Sequence, residues 1–107
     1  MTGRVVALVG DLMDRSRITA ALPDAELVTD EAGTEGAELV VIDLARHAAA
    51  VASVRRRCPT ARIVAYGSHV DEPALEAARA AGADAVLPRS RFFRDPAATV
   101  GDLEMPQ

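Results

Sequence analysis

The sequence predicts an α/β domain in which five parallel strands form one sheet with helices on both faces. Two observations carry this. Short apolar runs within Arg4–Val9, Leu39–Ile42 and Arg62–Tyr66 are continuous and rich in β-branched residues, as in strands buried on both sides. Five such segments alternate with helical ones, and right-handed crossovers turn that order into a parallel sheet covered on both faces. With 107 residues, half of them apolar, the chain makes one domain with a real core. Its only aromatic residues are Tyr66, Phe92 and Phe93, so the core must be built from Ala, Val, Leu and Ile.

Arg4–Val9 is the first strand, and Gly10 ends it. Leu12–Leu22 places Leu12, Ile18, Ala21 and Leu22 among Asp14, Arg15 and Arg17 and stops at Pro23, which reads as a short amphipathic helix. Ala25–Thr29 is a second, weaker strand expected at an edge. Asp30–Gly36 holds two glycines and three acids, which suits a turn or a single helical turn. Leu39–Ile42 is the third strand. His47–Arg57 is helical in composition and closes at Cys58-Pro59. Arg62–Tyr66 is the fourth strand, followed by Gly67-Ser68. Asp71-Glu72-Pro73 opens a helix with Leu75, Ala78 and Ala81 on its apolar face and Gly82 at its end. Asp84–Leu87 is the fifth strand, closed by Pro88. Ser90 caps a last helix that Pro96 and Gly101 weaken or break. The expected core is residues 4–95, and residues 96–107, ending in GDLEMPQ, read as a C-terminal tail of the same domain.

Composition removes several function classes. A formal charge of −4 argues against a nucleic-acid surface, which needs clustered positive charge. Arg55-Arg56-Arg57 is the local exception, but consecutive residues point around a helix, so the run reads as a solvated helix end. All twelve basic residues are arginine, and any mechanism that requires lysine is excluded. The single cysteine, Cys58, offers neither a disulfide nor a metal-ligand spacing and reads as a turn residue. Val5–Val9 is too brief for the apolar core of a signal peptide, and no run approaches membrane-spanning length. A cytoplasmic location is expected, with neither membrane nor nucleic acid as a partner.

In an open parallel sheet the site lies beyond the carboxyl ends of the strands. Those ends supply Gly10 and Asp11, then Asp43, then Gly67 and Ser68, then Pro88 and Arg89. Two carboxylates, a hydroxyl and a guanidinium are therefore expected on one edge.

The stretches VVALVGD, AELVVIDL, ARIVAYGSH and ALEAARAAGADAVLPRS resemble a response-regulator receiver domain, the phosphoacceptor module of two-component signalling, over residues 4–95. The resemblance implies a flavodoxin-like, doubly wound sheet of strand order 2-1-3-4-5. The segment between strands two and three is short, so the second helix is expected to be shortened or absent. The resemblance puts Asp43 at the phosphoacceptor position and Asp11 at one of two adjacent acids that hold magnesium. Gly10 replaces the other acid. Gly67, followed by Ser68, replaces a threonine or serine that turns toward the phosphoryl group, and Arg89 replaces a lysine that contacts it. Ala45-Arg46-His47 stands where Met-Pro is usual.

Each departure has a physical consequence. Magnesium takes near-octahedral oxygen ligands, so Asp11 and Asp43, with Asp14 as a third acid, make a weakened site. For Ser68 to replace the missing hydroxyl, the strand must slip by one residue, which turns its side chain to the other face. Arginine is planar and bulkier than lysine and suits a standing bidentate pair with Asp43. Such a pair would mimic or block the phosphorylated state.

Three readings follow. The first is a degenerate, stand-alone receiver, not an enzyme and without a cofactor, acting through contacts with another protein and with aspartyl phosphorylation impaired or absent. Its partner is a kinase, an output domain or a second copy of itself in a homodimer. The resemblance implies a contact face built from the fourth helix, fifth strand and fifth helix, here Tyr66, His69, Arg91, Phe92 and Phe93, against the competing expectation that at least one phenylalanine packs under the sheet. In the second, Asp43 accepts a phosphoryl group from a kinase phosphohistidine, with magnesium on Asp11 and Arg89 as charge stabiliser. The third is a flavodoxin-like cofactor-binding domain. The acidic loop Gly10–Asp14 counts against it, since it repels phosphate, holds no histidine for cobalamin and lacks the second glycine and the lysine of a P-loop. His47 and His69 read as exposed polar residues, Asp71 and Asp84 as helix-start and turn residues, and Glu31, Glu35 and Glu38 as a solvated face.

Overall fold

The computed structural model describes residues 3–104. Its strands are β1 (Val5–Leu8), β2 (Glu26–Val28), β3 (Leu39–Asp43), β4 (Arg62–Gly67) and β5 (Ala85–Pro88). All pairings are parallel, in the order β2-β1-β3-β4-β5. This is the predicted doubly wound sheet, with β2 at an edge. The helices are α1 (Leu12–Ala21), α2 (Leu44–His47), α3 (Ala50–Arg57), α4 (Glu72–Ala80), α5 (Arg89–Arg94) and α6 (Pro96–Glu104).

Successive strand residues point to opposite faces, and this sorts the apolar side chains into two cores. Val6, Leu8, Val40, Ile42, Ile63 and Ala65 face α2, α3 and α4, which return Leu44, Val51, Val54, Leu75 and Ala78. Ala7, Val9, Leu39, Val41, Val64 and Tyr66 face α1, α5 and α6, which return Ile18, Phe92 and Val100. The first core is aliphatic throughout; the second holds the aromatic side chains.

No full helix joins β2 to β3. The acids and glycines there form one 3₁₀ turn, Glu31–Thr34. The Asp30 carboxylate accepts from Gly33 N–H at 3.2 Å, the Thr34 hydroxyl donates to Glu31 O at 2.6 Å, and Gly36 adopts a positive φ of 77°. Asp and Ser/Thr side chains that bond nearby backbone favour turns over helix, as the composition indicated.

Several expectations need correction. The helix predicted over His47–Arg57 is two helices, since the Asp43 carboxylate caps α2 three residues earlier. Pro96 breaks the last helix, but the fold does not stop there: Val100 on α6 is 5% exposed and belongs to the second core. The expected core boundary at residue 95 is therefore too early, and the last three residues of the expected tail lie outside the described residues.

Arg55 is not a solvated residue. Its guanidinium donates to Gly82 O at 2.8 Å, Ala61 O at 2.8 Å and Pro59 O at 3.1 Å. It also pairs at 2.8 Å with Asp84, whose Oδ2 accepts Ile63 N–H at 2.8 Å. One side chain thus satisfies carbonyls after α3 and after α4 and ties the start of β5 to β4. Arg55→Met strands several of these acceptors, so it should lower unfolding free energy in urea by about 2 kcal/mol or more, whereas Arg56→Met, at an exposed position, should change it by less than about 0.5 kcal/mol.

Candidate functional site

The carboxyl edge of the sheet collects the residues that the sequence singled out, but pairs them differently. Asp43 ends β3 opposite Tyr66 of β4 and is 3% exposed. Its Oδ1 accepts Ala45 N–H at 2.9 Å, so the carboxylate caps a helix start rather than meeting a cation. Asp11 caps α1, its Oδ1 accepting Asp14 N–H at 3.0 Å. That bond is the main reason its carboxyl titrates below the ordinary 3.8. Desolvation opposes the shift, while the Met13 N–H, Arg89 and Arg46 reinforce it.

The two glycines of the edge have neighbours already in their space. A Cβ on Gly10 would stand 3.2 Å from Cγ and Cδ of Arg46, so a second carboxylate there must displace the arginine stem. A Cβ on Gly67 would stand 3.3 Å from Leu44 and 3.5 Å from Leu75, so a hydroxyl-bearing side chain must push into the first core. Ser68 does not compensate: it is exposed, and its Oγ accepts Val70 N–H at 3.3 Å. Asp11 and Asp43 each commit one oxygen to a backbone N–H, and among the described residues no three acidic, histidine or cysteine side chains gather around one point. This donor set is a poor match to the several oxygen ligands that magnesium takes.

Arg89 does not reach for Asp43, contrary to the expected bidentate pair. Its Nη2 pairs with Oδ1 of Asp14, and its Nε lies 3.4 Å from Oδ2. The Tyr66 hydroxyl donates to the same Oδ2 at 3.0 Å. Asp14 is 2% exposed, so a buried carboxylate joins α1, β4 and the first residue of α5. Tyr66 stacks on Phe92 at 5.0 Å and 5°, and Phe93 meets both rings edge-on. Burial first, then the negative charges of Asp43 and Asp14 and the hydrogen bond to Asp14, push the Tyr66 phenol far above 10.0, with Arg89 opposing.

The expected contact face is therefore corrected. Tyr66 and Phe92 are fully buried and Phe93 is half-buried, while His69 and Arg91 are exposed. The parity of β4 turns Tyr66 toward α5, which covers it. The sequence reading undervalued Asp14, whose cationic partner lies 75 residues away. A local signal was present: Asp14 precedes Ile18 by four residues and so shares its buried stripe.

Removing Arg89 alone leaves Asp14 buried without its counter-charge. Arg89→Met should therefore destabilise by about 3 kcal/mol, and Asp14→Leu in the same chain should recover much of the loss, both read from urea midpoints. Tyr66 supplies an alkaline test. Its folded value is raised above the unfolded one, so its contribution to stability is complete below pH 10 and declines as pH rises beyond it. Phenolate absorbance of this single tyrosine should appear only together with unfolding, and an early phenolate signal in folded protein would contradict the buried hydrogen bond.

No protein-family model matches the chain, and no curated protein matches it by sequence. Solved structures do match. The BeF3-activated DrrB receiver domain aligns over 96% of this chain and 97% of its own, with TM-score 0.81 and 13% identity. The CheY-like protein TadZ from Pseudomonas aeruginosa PAO1 aligns over 95% and 99%, with TM-score 0.75 and 17% identity. NtrX from Brucella abortus aligns over 97% of this chain at TM-score 0.79 and 16% identity, and the chain spans 27% of it. With this sheet order, this site edge and these neighbours, the chain has the fold of the response-regulator receiver domains.

Proposed function

We propose that the chain is a receiver-type signalling module that works through contact with another protein, with aspartyl phosphorylation impaired or absent. One observation carries this reading: Arg89, at the position of the phosphoryl-contacting lysine in receivers, is held by buried Asp14 rather than beside Asp43. Phosphorylation of Asp43 needs a carboxylate oxygen to attack phosphorus while nearby cations stabilise the negative charge on the transferring group. Here the arginine is already neutralised, the Gly10 position carries an arginine stem instead of a metal-binding carboxylate, and the Gly67 position carries no hydroxyl. The module needs neither a cofactor nor a catalytic group of its own. Its partner is a kinase, an output domain or a second copy of the chain. Among the described residues no helix is long and apolar enough to cross a membrane, and the reading puts the module in the cytoplasm.

The test is chemical. With magnesium and acetyl phosphate, under conditions that label an ordinary receiver, the intact mass should not gain a phosphoryl group. A gain abolished by Asp43→Asn would overturn the proposal and establish a phosphorylatable regulator.

A further inference from the structure

The protein carries a formal charge of −4, yet α1 and α5 together hold five arginines and a single acid, Asp14, which is buried and paired. At the seam between these helices two of the arginines share one ring. The guanidinium carbon of Arg89 stands 5.1 Å from the centroid of Phe93, and that of Arg17 stands 5.6 Å from it. Cation–π attraction favours each contact, but two like charges drawn to one ring repel one another. Asp14 neutralises Arg89; among the described residues Arg17 has no carboxylate within ion-pair reach. Arg17 is exposed and Phe93 only half-buried. Met13, one turn before Arg17 on the same face of α1, is 63% exposed.

Resting on the reading of the chain as an interaction module, we infer that this seam docks a partner-protein segment that presents a carboxylate beside an apolar side chain. The carboxylate pairs with Arg17 and completes the charge balance around Phe93, and the apolar group covers Met13 and the open edge of the ring. Methionine, arginine and aromatic residues are the types enriched where protein surfaces meet. A nucleic-acid backbone fits less well. It needs a run of unpaired cations, whereas Arg91 and Arg94 line a separate groove with Ala85, Leu87 and Asp95.

The test titrates isotope-labelled protein with a synthetic helical peptide that repeats glutamate beside leucine, with its glutamine counterpart, and with duplex DNA. Saturable amide shifts confined to α1 and α5, absent with the glutamine peptide, are expected. Arg17→Glu should weaken binding by at least about tenfold while lowering the thermal midpoint by no more than a few degrees, because only an exposed cation–π contact is lost. Phe93→Leu gives a second variant that keeps apolar bulk but removes the ring. Shifts elsewhere, equal binding of the glutamine peptide, or DNA binding at the seam as tightly as the acidic peptide would each overturn the inference. Acetyl phosphate labelling reads Asp43 alone. Labelled protein that still binds the peptide at the seam refutes the proposed function only; unlabelled protein that does not bind refutes the seam only.

Discussion

A carboxylate removed from water is unfavourable by several kcal/mol unless charge and hydrogen bonds replace its hydration. Asp14 is such a group, and much of the α1–α5 side of the sheet is arranged to meet that demand. Its position on α1 brings its carboxylate within reach of Tyr66 at the end of β4, and the phenol hydroxyl satisfies one oxygen. Arg89 opens α5 and supplies the counter-charge. With Arg89 anchored there, the next turn of α5 delivers Phe92 onto the Tyr66 ring and Phe93 against both. Past the break at Pro96, α6 then lays Val100 into the same core. One buried carboxylate thus joins three elements that are far apart in sequence.

Apart from this pair, the carboxyl edge of the sheet is closed at two of its glycines. Neither Gly10 nor Gly67 leaves a gap. The Arg46 stem covers Gly10, and Leu44 and Leu75 close on Gly67. Asp43 keeps its place at the end of β3 but is occupied in capping the four-residue helix that follows. Each of the two glycines has neighbours fitted to it, so a side chain added at either position would meet steric resistance from them.

How much of this was legible in the sequence depends on the range of the interaction. The strands announced themselves through uninterrupted β-branched runs, and the missing second helix through acids and glycines that bond their own backbone; both are local signals. The convergence of Asp11, Asp43, Ser68 and Arg89 on one edge followed from parallel topology, which places every carboxyl end together. What topology does not specify is which carboxylate an arginine selects. Asp14 and Asp43 are equally buried, at 2% and 3% exposed, but Asp43 already has one oxygen engaged by the Ala45 N–H, and the arginine pairs with Asp14. The resemblance puts Tyr66 on the contact face; strand parity, one residue from Gly67 on the opposite face, sends it into the second core. Arg55 looked like part of a solvated run because its acceptors, Gly82 O and Asp84, lie across a later crossover.

Arginine rather than lysine at position 89 belongs to the same logic. A lysine offers one compact, strongly hydrated charge on a flexible stem, well suited to moving toward a phosphoryl oxygen that comes and goes. A guanidinium is planar, always charged and able to face both oxygens of one carboxylate while lying over an aromatic ring. Arg89 makes both contacts, with Asp14 through Nε and Nη2 and with Phe93 at 5.1 Å. Those demands fix its orientation and keep its charge at a permanent partner. Arg89 is therefore a cation already answered by the protein itself, whereas Arg17, on the other contact to the same ring, has no carboxylate within ion-pair reach among the described residues.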